Sequence, residues 1–319
     1  MPNSERIFVD AVKRYCARHD ILIEIRSQGW LIVMQRGSQR HFALGYDLGL
    51  NSAIAHRIAN DKGATAEVLA ISGIPCVPHI VFVNPKLGEH VAPSGSRQAM
   101  LELLEKHPEG LVVKPNEGTS GRSVFRVSTR PGLERAVAEI FSSHLTLAIS
   151  PFVEIEDELR VVVIDEDPLV VYSKDRPCVV GDGKRSLREL ALAATPAEQH
   201  AAVLSAIADD FGRDDIEAIL PPGKRRVLNW RHNLDAGARP VLLEQGEARE
   251  ACAAIALRAA KAIGIRFASV DIVRVGGALK VLEINSGVMM EALGKLHPEL
   301  VDAVYSAALD KVFGEVTGV

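Results

Sequence analysis

Apolar positions fall at helical spacing near the start of the chain. Ile7, Val9, Val12 and Tyr15 predict a helix between Arg6 and His19. The period then shortens. Ile21–Ser27, Trp30–Arg36 and Arg40–Tyr46 are runs of strand formers separated by Gln28-Gly29 and Gly37-Ser38, and they predict a three-stranded meander. Asn51 or Ser52 can cap a helix to Ala59, and Asp61 can cap a second to about Ser72, where Gly73 stops it. Pro75 and Pro78 delimit a loop before a strand at His79–Val83. Helices are predicted over Pro93–Lys106 and Leu133–Phe141, and strands over Leu111–Lys114, Ser123–Val127 and Leu145–Ser150. Glu154, Glu156, Asp157 and Glu158 read as an acidic connector to a strand at Leu159–Ile164, and Leu169–Asp175 pairs back after a turn. Ser186 with Glu189 three residues on is a capping-box signature. Ala191–Ala218 reads as helical, Val227–Val241 as a polar strand, Glu247–Ile263 as a helix stopped by Gly264, and Pro298–Phe313 as a last helix.

Two stretches carry candidate chemistry. In Ser269–Met290, two strand-type runs flank Gly276-Gly277 and predict a hairpin. Alternation puts Glu283 and Asn285 on one face, and closing the hairpin at the glycines brings Asp271 roughly opposite them. Acidic side chains on hairpins are most often solvated. Two carboxylates and an amide among Val, Ile and Leu are costly unless something positive joins them, and hard oxygens suit Mg²⁺ shared with nucleotide phosphates. In Leu111–Val127, a strand enters a polar loop with Gly118 and Gly121 and leaves as a second strand. It lacks the GK[ST] of a P-loop, but its glycines let backbone N–H groups approach an anion, and Lys114 aims into the same space. Lys62 sits in a first helical turn, against the helix dipole; it is either a solvated lysine or one held there by something else.

Composition narrows the class. The chain has 319 residues, enough for about two domains, with 47% hydrophobic and 24% charged residues. A net charge of −4 with no long basic run argues against a nucleic-acid partner. Cys16, Cys76, Cys178 and Cys252 are far apart and form no CxxC pair, which fits a reducing compartment rather than a zinc site or disulfide framework. The N-terminus lacks the apolar core of a signal peptide and no run is long enough to span a membrane, so a cytoplasmic protein without membrane partners is expected.

Six stretches in order, Ile58–Pro78, Leu111–Val124, Asp157–Ile164, Val179–Leu190, Trp230–Ala238 and Gly264–Ser286, resemble the ATP-grasp ligases. The resemblance is closest to the RimK-type glutamate ligases and the ATP-grasp part of cyanophycin synthetases, and it runs from about Asn51 to Met290. It implies an α+β class with the ATP-grasp fold: two α+β lobes holding ATP between them, here residues 61–150 and 151–319, after a small helix-plus-strands unit at 1–60. It implies that Lys62 and Lys114 contact the nucleotide and that Asn116–Ser123, with Gly118, Ser120, Gly121 and Ser123, folds over the phosphates. The segment Ser150–Glu158, with Pro151, Phe152 and Val153, would be a hinge whose backbone reads adenine while an acidic side chain takes the ribose, and Glu158 would bind the nucleotide. Arg160, Lys174 and Asn233 would also line the nucleotide. Asp271, Glu283 and Asn285 would hold two Mg²⁺, for which Mn²⁺ could substitute, and Arg231 would act with Lys114 near the γ-phosphate and the activated acyl group. His232, read on the opposite face of a strand from Arg231, is expected to be structural.

The implied activity is ADP-forming ligation of a carboxylate to an amine through an acyl phosphate. The substrates would be small molecules, an amino acid or small peptide, and the enzyme a homo-oligomer, most simply a dimer. The alternatives are a ligase acting on a protein or peptide terminus and a nucleotide-binding module without ligase activity. The chain departs from the pattern after Asn285, where Ser286–Met290 replaces a small residue followed by proline and glycine, so substrate choice is expected to differ.

Overall fold

The structure, a computed structural model, describes residues 6–87, 97–118, 123–197, 200–211 and 216–314. The chain up to Val171 together with Glu244 onward forms one compact unit, and Tyr172–Leu243 forms a second.

The first unit begins with α1 (Ile7–Arg18) and the antiparallel meander β1 (Leu22–Arg26), β2 (Leu31–Arg36) and β3 (Gln39–Leu44). The Ser52 hydroxyl accepts from Ala55 N and starts α2 (Ala53–Asn60); the Asp61 carboxylate accepts from Ala64 N and starts α3 (Lys62–Ile71). Next come β4 (Ile80–Val83), α4 (Arg97–Lys106), β5 (Leu111–Pro115), β6 (Phe125–Val127), α5 (Arg130–Phe141) and β7 (Thr146–Pro151). The four strands form an antiparallel sheet in the order β4-β7-β5-β6. One face of it supplies Phe82, Leu111, Val113, Leu147 and Ile149 to a core closed by Met100 of α4 and by Leu133, Ala136 and Ile140 of α5. β8 (Asp157–Ile164) and β9 (Asp167–Asp175) follow. Asp157 and Glu158, expected in an acidic connector, are the first two residues of β8, because they pair with Arg274 and Val273 of a neighbouring strand.

In the second unit, β10 (Cys178–Val180) leads to α6 (Leu187–Ala194), α7 (His200–Phe211), β11 (Arg225–Val227) and β12 (Arg239–Leu242). β10 pairs with β11, and β12 pairs with Tyr172–Asp175 of β9. Val179, Leu187, Leu190, Val203, Ile207 and Leu228 share a core, and Ser186 with Glu189 forms the expected capping box. Two expectations fail here. The helical stretch predicted from Ala191 breaks after Ala194, since Thr195 precedes Pro196 and is extended (φ −124°, ψ 148°). The polar strand predicted over Val227–Val241 does not form. Asn229 Oδ1 accepts from Arg231 N at 3.0 Å and Asn233 Oδ1 from Asp235 N at 2.8 Å, local bonds that replace a strand ladder. Gly237 then takes a left-handed conformation (φ 96°), and the stretch is strand only at its two ends, Val227 in β11 and Arg239–Val241 in β12.

Back in the first unit, α8 (Glu247–Ile263) ends at left-handed Gly264 as predicted and packs against β8, β13 (Phe267–Val275) and β14 (Ala278–Asn285). Gly276 and Gly277, with φ of 57° and 75°, close the predicted β13–β14 hairpin. The strand order is β9-β8-β13-β14. A short α9 (Glu291–Gly294) that the apolar pattern did not signal precedes α10 (Pro298–Gly314), which packs on α1; Tyr15 Oη donates to Asp310 Oδ1 at 2.8 Å. Among the described residues no helix is long and apolar enough to cross a membrane.

Candidate active site

The face of the β4-β7-β5 sheet opposite the apolar core is where two lysines meet. Register aligns Val81 and Lys114 with Ala148, so all three share that face, with Ser150 two residues along. The N-terminus of α3 comes down on Val81: a Cβ added at Gly63 would lie 2.1 Å from Val81 Cγ2. That contact requires glycine and delivers Lys62 to the loop after β5. The Lys62 ammonium donates to Asn116 O at 3.2 Å and Gly118 O at 3.1 Å, while Gly63 N donates to Asn116 Oδ1 at 3.1 Å. A cation at the head of a helix is thus held by carbonyls, and the base of the glycine-rich loop is fixed to α3. Lys114 is buried. Burial lowers its pKa from 10.5 to about 8; Glu283 opposes the shift, Lys62 adds to it, and Glu158 and Asp271 oppose it more weakly.

The acidic residues line up across β8, β13 and β14. Register pairs Arg160 with Asp271 and Asp271 with Glu283, and pairs Ser269 with Asn285. The hairpin therefore brings Asp271, Glu283 and Asn285 together as the alternation predicted. Arg160 grips Asp271 with both arms, Nε to Oδ1 at 2.6 Å and Nη2 to Oδ2 at 2.7 Å. Asn285 Nδ2 donates to Glu283 Oε1 at 3.4 Å. Two carboxylates and an amide oxygen brought together by the hairpin are a hard donor set of the kind that fits Mg²⁺. Glu158, two residues before Arg160, is also buried.

The expected hinge begins where β7 ends. Pro151 still pairs with Leu111, and Phe152 N donates to Gly110 O at 3.0 Å, which commits one backbone donor to the fold. The Arg126 guanidinium lies over the Phe152 ring at 3.6 Å, and Val153 is half-buried. Glu156 accepts from Gly277 N at 3.0 Å and ties the segment to the hairpin turn. In the loop, Ser123 is left-handed (φ 52°); Ser120 and Gly121 lie outside the described residues. The other three candidates belong to the second unit. Lys174 is buried on β9, and its carbonyl accepts from His232 Nδ1 at 2.7 Å. Arg231 lies over the Trp230 ring at 5.4 Å, and among the described residues its buried Nε has no hydrogen-bond partner. Asn233 caps the helical turn at Leu234–Ala236. With no strand here, it is the bond to Lys174, not strand alternation, that turns His232 inward.

Comparison with known proteins gives the arrangement a context. No protein-family model matches the chain. A bifunctional glutathione synthetase from Pasteurella multocida superposes with a TM-score of 0.54 at 16% identity, over 95% of this chain and 44% of that one. A D-alanine–D-alanine ligase from Bacillus anthracis superposes with a TM-score of 0.51 at 18% identity, over 82% of this chain and 71% of that one. The chain has the ATP-grasp fold. A probable alpha-L-glutamate ligase from Shewanella halifaxensis is 24% identical over 254 residues, 80% of this chain and 42% of that protein. This ATP-grasp chain therefore spans less than half the length of both that relative and the glutathione synthetase.

Sequence reasoning overlooked three residues at this site. In the sequence Asn116 reads only as part of a loop, and Gly63 is one of 25 glycines with nothing to mark it. His79 reads there only as the start of a strand, which in the structure begins at Ile80. Its signal was present: it is the one ionisable side chain between Cys76 and Val83.

Proposed function

We propose that the chain is an ATP-dependent carboxylate–amine ligase that joins an amino acid or small peptide to an amine through an acyl phosphate, releasing ADP and phosphate. One observation carries this reading: the β13–β14 hairpin brings Asp271, Glu283 and Asn285 together, and the same unit holds a buried lysine, Lys114, on the polar face of the β4-β7-β5 sheet. A phosphate chain with its metal complements both sides, anion to lysine and cation to carboxylate. The names of the similar proteins, a glutamate ligase, a glutathione synthetase and a D-alanine–D-alanine ligase, support the reaction class.

In this reading Asp271, Glu283 and Asn285 hold Mg²⁺, which when bound supplies neutralisation of phosphoryl charge. Arg160 fixes the orientation of the Asp271 carboxylate. Lys114 donates to a phosphoryl oxygen from a dry position, where the bond is worth more than in water. Lys62 holds the base of the loop that covers the phosphates. ATP use makes the cytoplasm the compartment, and a homodimer is the assembly.

The test is ADP release from Mg²⁺-ATP across a panel of amino acids, singly and in pairs. Release should require a particular pair and fall by about 100-fold or more in Glu283→Ala. ATP binding with no release for any pair would sink the free amino-acid version and favour a peptide or protein terminus. Absence of nucleotide binding would sink the whole reading.

A further inference from the structure

Ser286 follows Asn285 directly, at the end of β14, and is 1% exposed. α2 packs against this strand, and His56 and Asn60, one turn apart on one helical face, meet the serine there. The Ser286 hydroxyl donates to Asn60 Oδ1 at 3.2 Å and lies 3.0 Å from His56 Nδ1. Asn60 Nδ2 lies 3.0 Å from His56 Nε2. The hydrogens close this ring without conflict. An amide nitrogen only donates, so Nε2 accepts and Nδ1 carries the ring hydrogen; the hydroxyl oxygen, its own hydrogen spent on Asn60, accepts it. Asp47 Oδ2 stands 3.3 Å from the same Nδ1. Beyond Ser286 the chain is pinned twice more: the Tyr305 hydroxyl donates to Val288 O at 2.8 Å, and the Tyr46 hydroxyl to Glu291 Oε1 at 2.9 Å.

Three polar side chains are not needed to fill this space. Each bond contributes about 0.5–1.5 kcal/mol net, and an alanine in place of the serine would require none of them. What a fully satisfied ring supplies is a single arrangement. The metal site has a use for it. Asp271 lies inside two strand ladders and is gripped by Arg160. Asn285 is the last residue of β14, where the ladder stops. Its place is set by its neighbour, one peptide bond away and tied to α2. Mg²⁺ demands oxygens at near-ideal octahedral positions, about 2.0–2.1 Å away, so a ligand at a strand end needs such a tie.

We propose that His56 and Asn60 are positioning residues of the metal site: through the Ser286 hydroxyl they fix the end of β14 and so aim the Asn285 carboxamide at Mg²⁺. The proposal rests on the ligase reading above and adds the support behind one of its metal ligands.

The test measures ATP binding by calorimetry on the 319-residue chain, in EDTA and across a Mg²⁺ titration. Mg²⁺ should tighten ATP binding to the unaltered protein. In Ser286→Ala and in His56→Phe the Mg²⁺ concentration for half of that tightening should rise about 10–100-fold, the usual cost of losing a group behind a metal ligand, while binding in EDTA stays as it was. His56→Asn, whose amide nitrogen can stand in for Nδ1–H, should recover part of the loss. Asn285→Ala, which keeps both carboxylates, decides the route: on that background Ser286→Ala should raise the Mg²⁺ requirement no further, because the hydroxyl acts through the carboxamide. An unchanged Mg²⁺ requirement in Ser286→Ala and His56→Phe overturns the proposal. So does a loss of ATP affinity that is equal with and without Mg²⁺, or a full loss from Ser286→Ala on top of Asn285→Ala. Those outcomes leave the ligase reading standing; ATP binding by the unaltered protein that Mg²⁺ does not affect, or no binding at all, overturns both.

Discussion

The two faces of the β4-β7-β5-β6 sheet are made from the same strands, residue by alternate residue, and are buried to a similar degree. On one face Phe82, Leu111, Val113, Leu147 and Ile149 pack under α4 and α5. On the other, Val81, Lys114, Ala148 and Ser150 share the surface, and the buried His79 stands just before β4. Burying the first set stabilises the fold in proportion to the apolar area removed from water. Burying Lys114 and His79 costs stability, and each has its pKa pushed toward the neutral form. Burial alone therefore does not separate structure from function here. The sign of the energy does, and substitutions one residue apart on a strand should move stability in opposite directions.

The largest effect is expected on the apolar face. Phe82 is 2% exposed, so Phe82→Ala should destabilise by about 3–5 kcal/mol through lost burial and the cavity left behind. Urea denaturation measures it, and a loss below about 1 kcal/mol would mean that α4 and α5 do not close a packed core over β4.

On the other face the sign reverses. Lys114 is protonated at pH 7 although burial lowers its pKa from 10.5 to about 8, so Lys114→Met should stabilise the ligand-free protein while abolishing tight ATP binding. The same shift predicts a pH dependence. Between about pH 8 and 10.5 the unfolded chain holds a proton on this lysine that the folded chain has released, so stability should rise with pH through that window and level off above it. In Lys114→Met this rise should vanish. Denaturant midpoints taken across the window for both proteins decide it, and an unchanged slope would assign the burial cost to another group.

The contrast between the faces also explains what could be read from the sequence. The β13–β14 hairpin was legible because three signals agreed: strand-type runs, a Gly-Gly turn, and polar residues two apart whose faces follow from alternation. The helices at Ala53–Asn60, Lys62–Ile71 and Glu247–Ile263 were legible from caps and stops that act within one turn. Val227–Val241 was misread because side-chain amides at Asn229 and Asn233 outcompeted the ladder that its strand-like runs suggested. The Arg160–Asp271 pair and the place of His79 were not legible, since each depends on which strands become neighbours, and 111 residues separate Arg160 from Asp271. A single polar residue in an apolar strand is visible in sequence; the face it lands on is not.

The smallest effect probes the seam that brings α3 onto the polar face. A Cβ at position 63 would stand 2.1 Å from Val81 Cγ2, a distance no pair of carbon atoms tolerates. Gly63→Ala must therefore shift Val81 or lift the start of α3, at about 1–3 kcal/mol. The higher helix propensity of alanine returns up to about 1 kcal/mol, so the net loss should be about 1–2 kcal/mol. Lifting α3 also carries Lys62 away from Asn116 and Gly118, so ATP affinity should fall with stability rather than independently of it. Val81→Ala removes the offending methyl groups. Alone it should destabilise by leaving a small cavity, but combined with Gly63→Ala the two losses should be clearly less than additive. A double-mutant cycle read by urea denaturation and by ATP binding measures this coupling. Strict additivity would mean that α3 reaches the sheet by some contact other than Gly63 on Val81, and that the lysine it carries is positioned from the loop rather than from the helix.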